Sequence, residues 1–164
     1  MVSDPGIVSA DPMKALLSVN WLASCGGLFR TDRVSTDYFD GTTLYFEWTL
    51  LAFRLVASMK MAFVGSPTFR VYDTSGSRSK SPGYRWAEVD VLKEVARLDL
   101  PEEIRRGVMR KLGKAYHNLS DHCRQSGEAA SAWRFHVASL FYPGGASYLG
   151  YTRRLLAPRW GPHA

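Results

Sequence analysis

Glu47 is the residue of this chain most readily turned to chemistry. It stands between Phe46 and Trp48. A carboxylate held among aromatic rings can have its pKa raised until it serves as a general base near neutral pH. The plainer role at that place is a helix-start acid favoured by the positive end of the dipole. His117, His122 and His136 lie in the second half at separations of five and nineteen residues. Those spacings match no metal-ligand signature, so the three read as core-edge or surface imidazoles. Cys25 and Cys123 are too few and too far apart for a disulfide framework or a CxxC-type zinc site. Asn118-Leu119-Ser120 fits a glycosylation acceptor but falls inside a helical pattern, and is discounted. The sequence has no GxGxxG, P-loop, GxSxG or Ser/His/Asp arrangement. Its one spaced acid pair of the Asp-x-Asp kind, Glu88-x-Asp90, lies in the helical half.

The elements that must position these groups change character near Arg85. In the second half, Ile104, Val108, Leu112, Ala115, Leu119 and Cys123 recur at three- and four-residue steps and form one apolar stripe. Pro101-Glu102-Glu103 starts that helix and Gly127 stops it. The next helix, from about 128, lays Ala129, Trp133, Val137 and Leu140 on one face, which predicts a buried Trp133. Pro143-Gly144-Gly145 ends it. A last amphipathic helix carries Tyr148, Tyr151, Thr152 and Leu155, and an earlier one covers about 86–98. In the first half, 13–19 and 44–59 have helical periodicity. The segments 61–65 and 68–72 are short runs with Val, Phe and Tyr that predict strands, and 25–29 reads as a strand or a loop entry. Residues 72–84, rich in Ser, Gly and basic side chains, read as a loop or linker.

With 164 residues, 46% of them hydrophobic and 22% charged, the chain can bury a core without staples. The best candidate for a membrane span, 49–64, is interrupted by Arg54 and Lys60. Asp4, Pro5 and Asp11 replace the basic and apolar regions of a secretory signal, so a cytoplasmic, reduced environment is the expectation. The net charge is +6. Divided near Arg85, nine Lys and Arg stand against seven acids before the break and twelve against eight after it. Clusters at Arg105, Arg106, Arg110, Lys111 and Lys114, and at Arg153, Arg154 and Arg159, could meet nucleic acid or anionic lipid, or be a solvated helix face.

Two resemblances carry further expectations. Tyr116, Leu119, Gly127, Ala132 and Pro143 fall near the places that a single tetratricopeptide unit uses, which implies a helical hairpin packed on another surface. The order Asn20-Trp21, Leu28-Phe29-Arg30, Phe39-Asp40, Glu47-Trp48, Arg54-Leu55, Met61-Ala62-Phe63-Val64, Arg70-Val71-Tyr72 and Gly76-Ser77 resembles the acceptor-side half of a family-two glycosyltransferase of the GT-A fold, with a helical tail after it. The resemblance spans about 11–154. It implies an inverting transfer in which Glu47 takes the acceptor hydroxyl's proton, Trp48 and the 70–79 loop bind substrate through Arg70, Ser77, Arg78 and Ser79, and the serines close over the donor. One carboxylate stands where the family has two. The nucleotide-binding units and the Asp-x-Asp metal site have no counterpart, so no cofactor is expected on this chain alone. Mg²⁺ or Mn²⁺ would come only with a complete enzyme.

The expected fold is therefore α/β but helix-dominated: a GT-A-like acceptor half over 1–85 with a few short strands and one long helix, then a C-terminal helical bundle over 86–164. The expected function is the acceptor side of sugar transfer from a nucleotide sugar. Its partners would be a nucleotide-sugar-binding half or subunit and a saccharide or other hydroxyl acceptor. Peripheral membrane contact is part of this reading, and nucleic acid is not. The alternative is a non-catalytic helical interaction module that binds an acidic protein, nucleic acid or an anionic surface through its basic faces.

Overall fold

The computed structural model describes residues 5–22, 27–40, 45–64, 72, 75–77, 81 and 83–156. Every regular element among them is helical. The α/β expectation is overturned, because no strand forms among the described residues. Residues 61–64 have no regular structure, Tyr72 stands outside any element, and 27–29 takes the loop form of its two readings; the rest of these segments lies outside the described residues. A strand needs a neighbouring ladder for its amides and a buried face for its alternate side chains. Leu28 and Val64 instead face solvent. Phe63 finds a partner without a sheet: its ring meets Trp21 edge-on at 5.9 Å.

The chain divides into two compact units, Met1–Ile104 and Arg105–Ala164. In the first, α1 (Pro5–Ala10) leads into α2 (Pro12–Leu16). Asp11 caps α2 by accepting from the Lys14 amide at 2.8 Å, with Pro12 at the first helical position. The central element is α3 (Glu47–Ser58), where Leu50, Leu51, Ala52, Phe53, Leu55 and Val56 are all buried. So wide an apolar arc needs cover on more than one side. Helix α2, a 3₁₀ turn at Thr36–Phe39 and α4 (Tyr84–Arg97) provide it. Helix α4 contributes Val89, Val91, Leu92 and Val95 to the core.

The second unit is built on α5 (Glu102–Gln125), which crosses the division between units. Val108, Leu112, Ala115, Leu119 and Cys123 line its inner side. The chain reverses at Gly127 (φ +81), a left-handed position that glycine adopts without the penalty of a Cβ. Helix α6 (Ala129–Leu140) then runs back along α5. Near the turn, Ser120 Oγ donates to the Ala132 carbonyl at 2.7 Å. Farther out, Tyr142 presses on Gly113, where an added Cβ would lie 2.7 Å from that of the tyrosine.

The buried side of α6 is Ala132, Phe135, His136 and Ser139. The expected face of Ala129, Trp133, Val137 and Leu140 is displaced from it by roughly a quarter turn. Val137 is 45% exposed, Ala129 is exposed and Trp133 is half-buried. Phe135 stacks on Tyr116 of α5, Ala132 lies where Ser120 reaches its carbonyl, and His136 and Ser139 enter with hydrogen-bond partners. A 3₁₀ segment (Gly145–Tyr151) and α7 (Thr152–Leu156) fold back onto the hairpin.

Candidate functional site

Glu47 is the first residue of α3 and is exposed. It borders a cleft of about 170 Å³ with Trp48, Leu51 and Arg54 of α3, with Tyr38 of the 3₁₀ turn and with Asp40 just after it. Arg54 donates through Nη1 to the Tyr38 carbonyl at 3.0 Å and also to that of Asp40. Its guanidinium thus holds the end of that turn. Tyr38 Oη donates to Ser58 Oγ at 2.9 Å and ties the same turn to the far end of α3. Tyr45, just before the helix, has φ +81, a region unfavourable for a residue with a Cβ. The strain is held by aromatic packing: Tyr45 and Phe46 both meet Tyr84 of α4, at 6.0 and 4.4 Å.

Of the other residues the glycosyltransferase resemblance nominates, Trp48 lines this cleft and is half-buried. Ser77 is half-buried in the 75–77 segment. Arg70, Arg78 and Ser79 lie outside the described residues. Asn20 and Trp21 do structural work. Asn20 Nδ2 donates to Thr49 Oγ1 at 3.3 Å, and Trp21 Nε1 donates to the Pro12 carbonyl at 2.8 Å.

The second unit holds a polar cluster that sequence reasoning missed. His117 stacks on Tyr148 and meets Tyr151 edge-on. Tyr151 Oη donates to Asp121 Oδ1 at 2.9 Å and accepts from Arg124 Nε at 3.3 Å, while Arg124 also reaches Asp121. His136 is 1% exposed, and its Nε2 lies 2.8 Å from Thr152 Oγ1. Nδ1 of both His117 and His136 has no hydrogen-bond partner among the described residues. Burial holds both imidazoles below their ordinary pKa. For His117, the charges of His136 and Arg154 add to that lowering, and Asp121 opposes it. Burial, with Glu128 adding, raises the Cys123 thiol, which keeps it protonated and unreactive. No group of three or more His, Cys, Asp or Glu among the described residues is arranged to hold a metal ion.

The outer side of α5 carries the strongest electrostatic feature. Arg106, Arg110 and Lys114 are all exposed and follow one another at four-residue steps. They form a row about 12 Å long, diametrically opposite the apolar stripe. Cut at the structural division, Met1–Ile104 has eleven Lys and Arg against thirteen acids, net −2. Arg105–Ala164 has ten against two, net +8. Of those two acids, Asp121 is engaged by Tyr151 and Arg124. The compositional break near Arg85 conceals this separation, because it leaves the acids of 88–103 on the basic side. No helix among the described residues is long and apolar enough to cross a membrane. No family model, curated protein or solved structure matches the chain.

Proposed function

We propose that the chain is a helical interaction module whose 105–164 unit binds a polyanionic partner. The observation that carries this reading is the net +8 of that unit together with the exposed row Arg106, Arg110 and Lys114 on a helix anchored by its opposite side. A rigid row of cations raises the local concentration of an anionic partner and binds it by releasing counterions, so affinity falls as salt rises. Acceptor-side sugar transfer has weaker support. Its one favouring observation is the cleft that Glu47 shares with Trp48, and the sheet on which such a site would stand is absent among the described residues.

The test is binding of the whole chain to heparin as a generic polyanion across a salt series. The wild type is expected to bind with steep salt dependence. The charge reversal R106E/R110E/K114E is expected to weaken binding at least about a hundredfold. Unchanged affinity in the triple variant, with its melting curve intact, would refute the assignment.

A further inference from the structure

Resting on that polyanion reading, we infer that the partner is an anionic lipid bilayer, and that Phe141 and Leu149 enter its acyl boundary while the cations engage headgroup phosphates. Along 134–156 the second unit exposes large apolar side chains beside Arg134, Arg153 and Arg154. Phe141 is 84% exposed, Leu156 71%, Leu149 57% and Val137 45%. They are interleaved with charge: the exposed Arg134 stands one turn before Val137, and the exposed Arg153 and Arg154 stand three and two residues before Leu156. Arg110 runs past the turn that follows Phe141, since a Cβ at Gly144 would lie 3.9 Å from its Cγ.

The turn is held firmly, so these side chains are presented to solvent by a fixed backbone. Gly145 N donates to the Tyr142 carbonyl at 2.8 Å, and Ser147 N to that of Gly144 at 3.1 Å. Tyr148 stacks on His117 and Tyr151 bonds Asp121, which points Leu149 between them outward.

The chemistry of the exposed set favours lipid. A nucleic acid would take the cations and could stack a base on Phe141, but Val137, Leu149 and Leu156 offer nothing to a base edge or a phosphate. A bilayer accepts both kinds of group. Each cation near an anionic surface is worth about fivefold in partitioning, and aromatic or aliphatic side chains sink past the headgroups. Lipids also rearrange laterally, so anchors distributed among cations need no preformed complementary surface.

The test is co-sedimentation of the whole chain with phosphatidylcholine vesicles, with and without phosphatidylglycerol. Parallel titrations use heparin, a single-stranded oligonucleotide and poly-glutamate. Binding is expected only when phosphatidylglycerol is present. F141A/L149A is expected to weaken vesicle binding about tenfold or more while leaving heparin binding unchanged. Both residues are exposed, so the melting curve should not move. Vesicle binding indifferent to F141A/L149A would overturn insertion. Binding to heparin, the oligonucleotide or poly-glutamate without binding to vesicles would overturn the lipid assignment and leave the polyanion reading standing. Failure with all four probes would overturn both.

Discussion

The imidazole of His117 lies flat on the phenol ring of Tyr148, with ring centroids 4.2 Å apart and planes inclined by 11°. This contact fastens the 3₁₀ segment to α5, and Tyr151 completes it by meeting the same imidazole edge-on at 4.7 Å. The surface proposed to meet lipid therefore depends on a polar interior. The apolar anchor Leu149 lies on the 3₁₀ segment, and Arg153 and Arg154 follow it on α7. The inner side of that segment is held by His117, His136, Tyr148, Tyr151 and Asp121, whereas the row Arg106, Arg110 and Lys114 stands on α5 itself.

That interior makes stability depend on pH. Burial lowers the pKa of His117 and His136, and His136 and Arg154 add to the lowering at His117. The unfolded chain takes up protons near the ordinary histidine value of about 6.5, while the folded chain resists until lower pH. Stability from these groups is fully present above about pH 6.5 and is lost as pH falls below it. Urea midpoints should drop between about pH 7.5 and 5.5, and H117Q/H136Q should flatten that drop. A midpoint that rises on acidification would contradict the assignment.

Tyr151→Phe isolates the hydroxyl. It removes the 2.9 Å bond to Asp121 and the 3.3 Å bond from Arg124, and leaves those two residues to each other. The ring and its contact with His117 stay in place. The expected loss is about 1.5–3 kcal/mol by chemical denaturation, the range for a hydrogen bond to a charged group.

The parts of this structure legible in the sequence are those set by a single period. The stripe from Ile104 to Cys123 is the inner side of α5, because one helix with one buried face leaves an unambiguous signal. The run ending at Met59 became α3 for the same reason. The inner face of α6 was hidden because apolarity did not choose it. His136 is buried against Thr152, and Ser139 donates to the His136 carbonyl, so polar residues entered with their partners. The expected strands failed for a different reason. Short apolar runs say what a segment could bury, but not whether a neighbouring strand exists. Of the candidate site, Glu47 and Trp48 were visible as residue types, whereas the His117–Tyr148–Tyr151 cluster joins positions 31 to 34 residues apart and leaves no local pattern.

Gly145 and Gly127 separate close approach from backbone conformation. A Cβ at Gly145 would lie 2.5 Å from the backbone oxygens of both Ser139 and Leu140, and neither can swing aside. A Cβ at Gly127 would meet open space, and only its φ of +81 resists substitution. Gly127→Ala should cost about 1 kcal/mol. Gly145→Ala should cost more, about 2–3 kcal/mol, because the chain reversal must shift. Thermal melts of the two variants compare them directly.

Glu47→Gln tests what remains of the acceptor-site idea. An exposed acid at a helix start contributes at most about 0.5 kcal/mol through the dipole. The variant should melt within a degree or two of the wild type, and it should bind phosphatidylglycerol vesicles equally well. A large gain in vesicle binding, as expected when a carboxylate facing an anionic surface is neutralised, would place the anionic contact in the first unit and contradict its assignment to 105–164.

The orientation of α6 is the least expected feature of the fold, and substitutions at Trp133, Val137 and Ser139 read it out against Leu119 of α5. Leu119 is 1% exposed and sits within the α5 stripe, so Leu119→Ala should cost about 2–5 kcal/mol through lost burial and the cavity left behind. Trp133 is half-buried and meets His136 edge-on at 6.1 Å. It loses less on truncation, and Trp133→Ala should cost about 1–2 kcal/mol. Val137 is 45% exposed, and Val137→Ala should change stability by less than about 0.5 kcal/mol. If the face of Trp133 and Val137 pointed inward instead, the tryptophan would be the costliest of the three and the valine would cost more than 1 kcal/mol. Ser139→Val provides the converse. The serine is fully buried beside Gly145, so enlarging it should destabilise even though valine is apolar, through overpacking and the loss of the hydroxyl's bond to the His136 carbonyl. A stabilising Ser139→Val together with a costly Val137→Ala would mean that α6 is turned the other way.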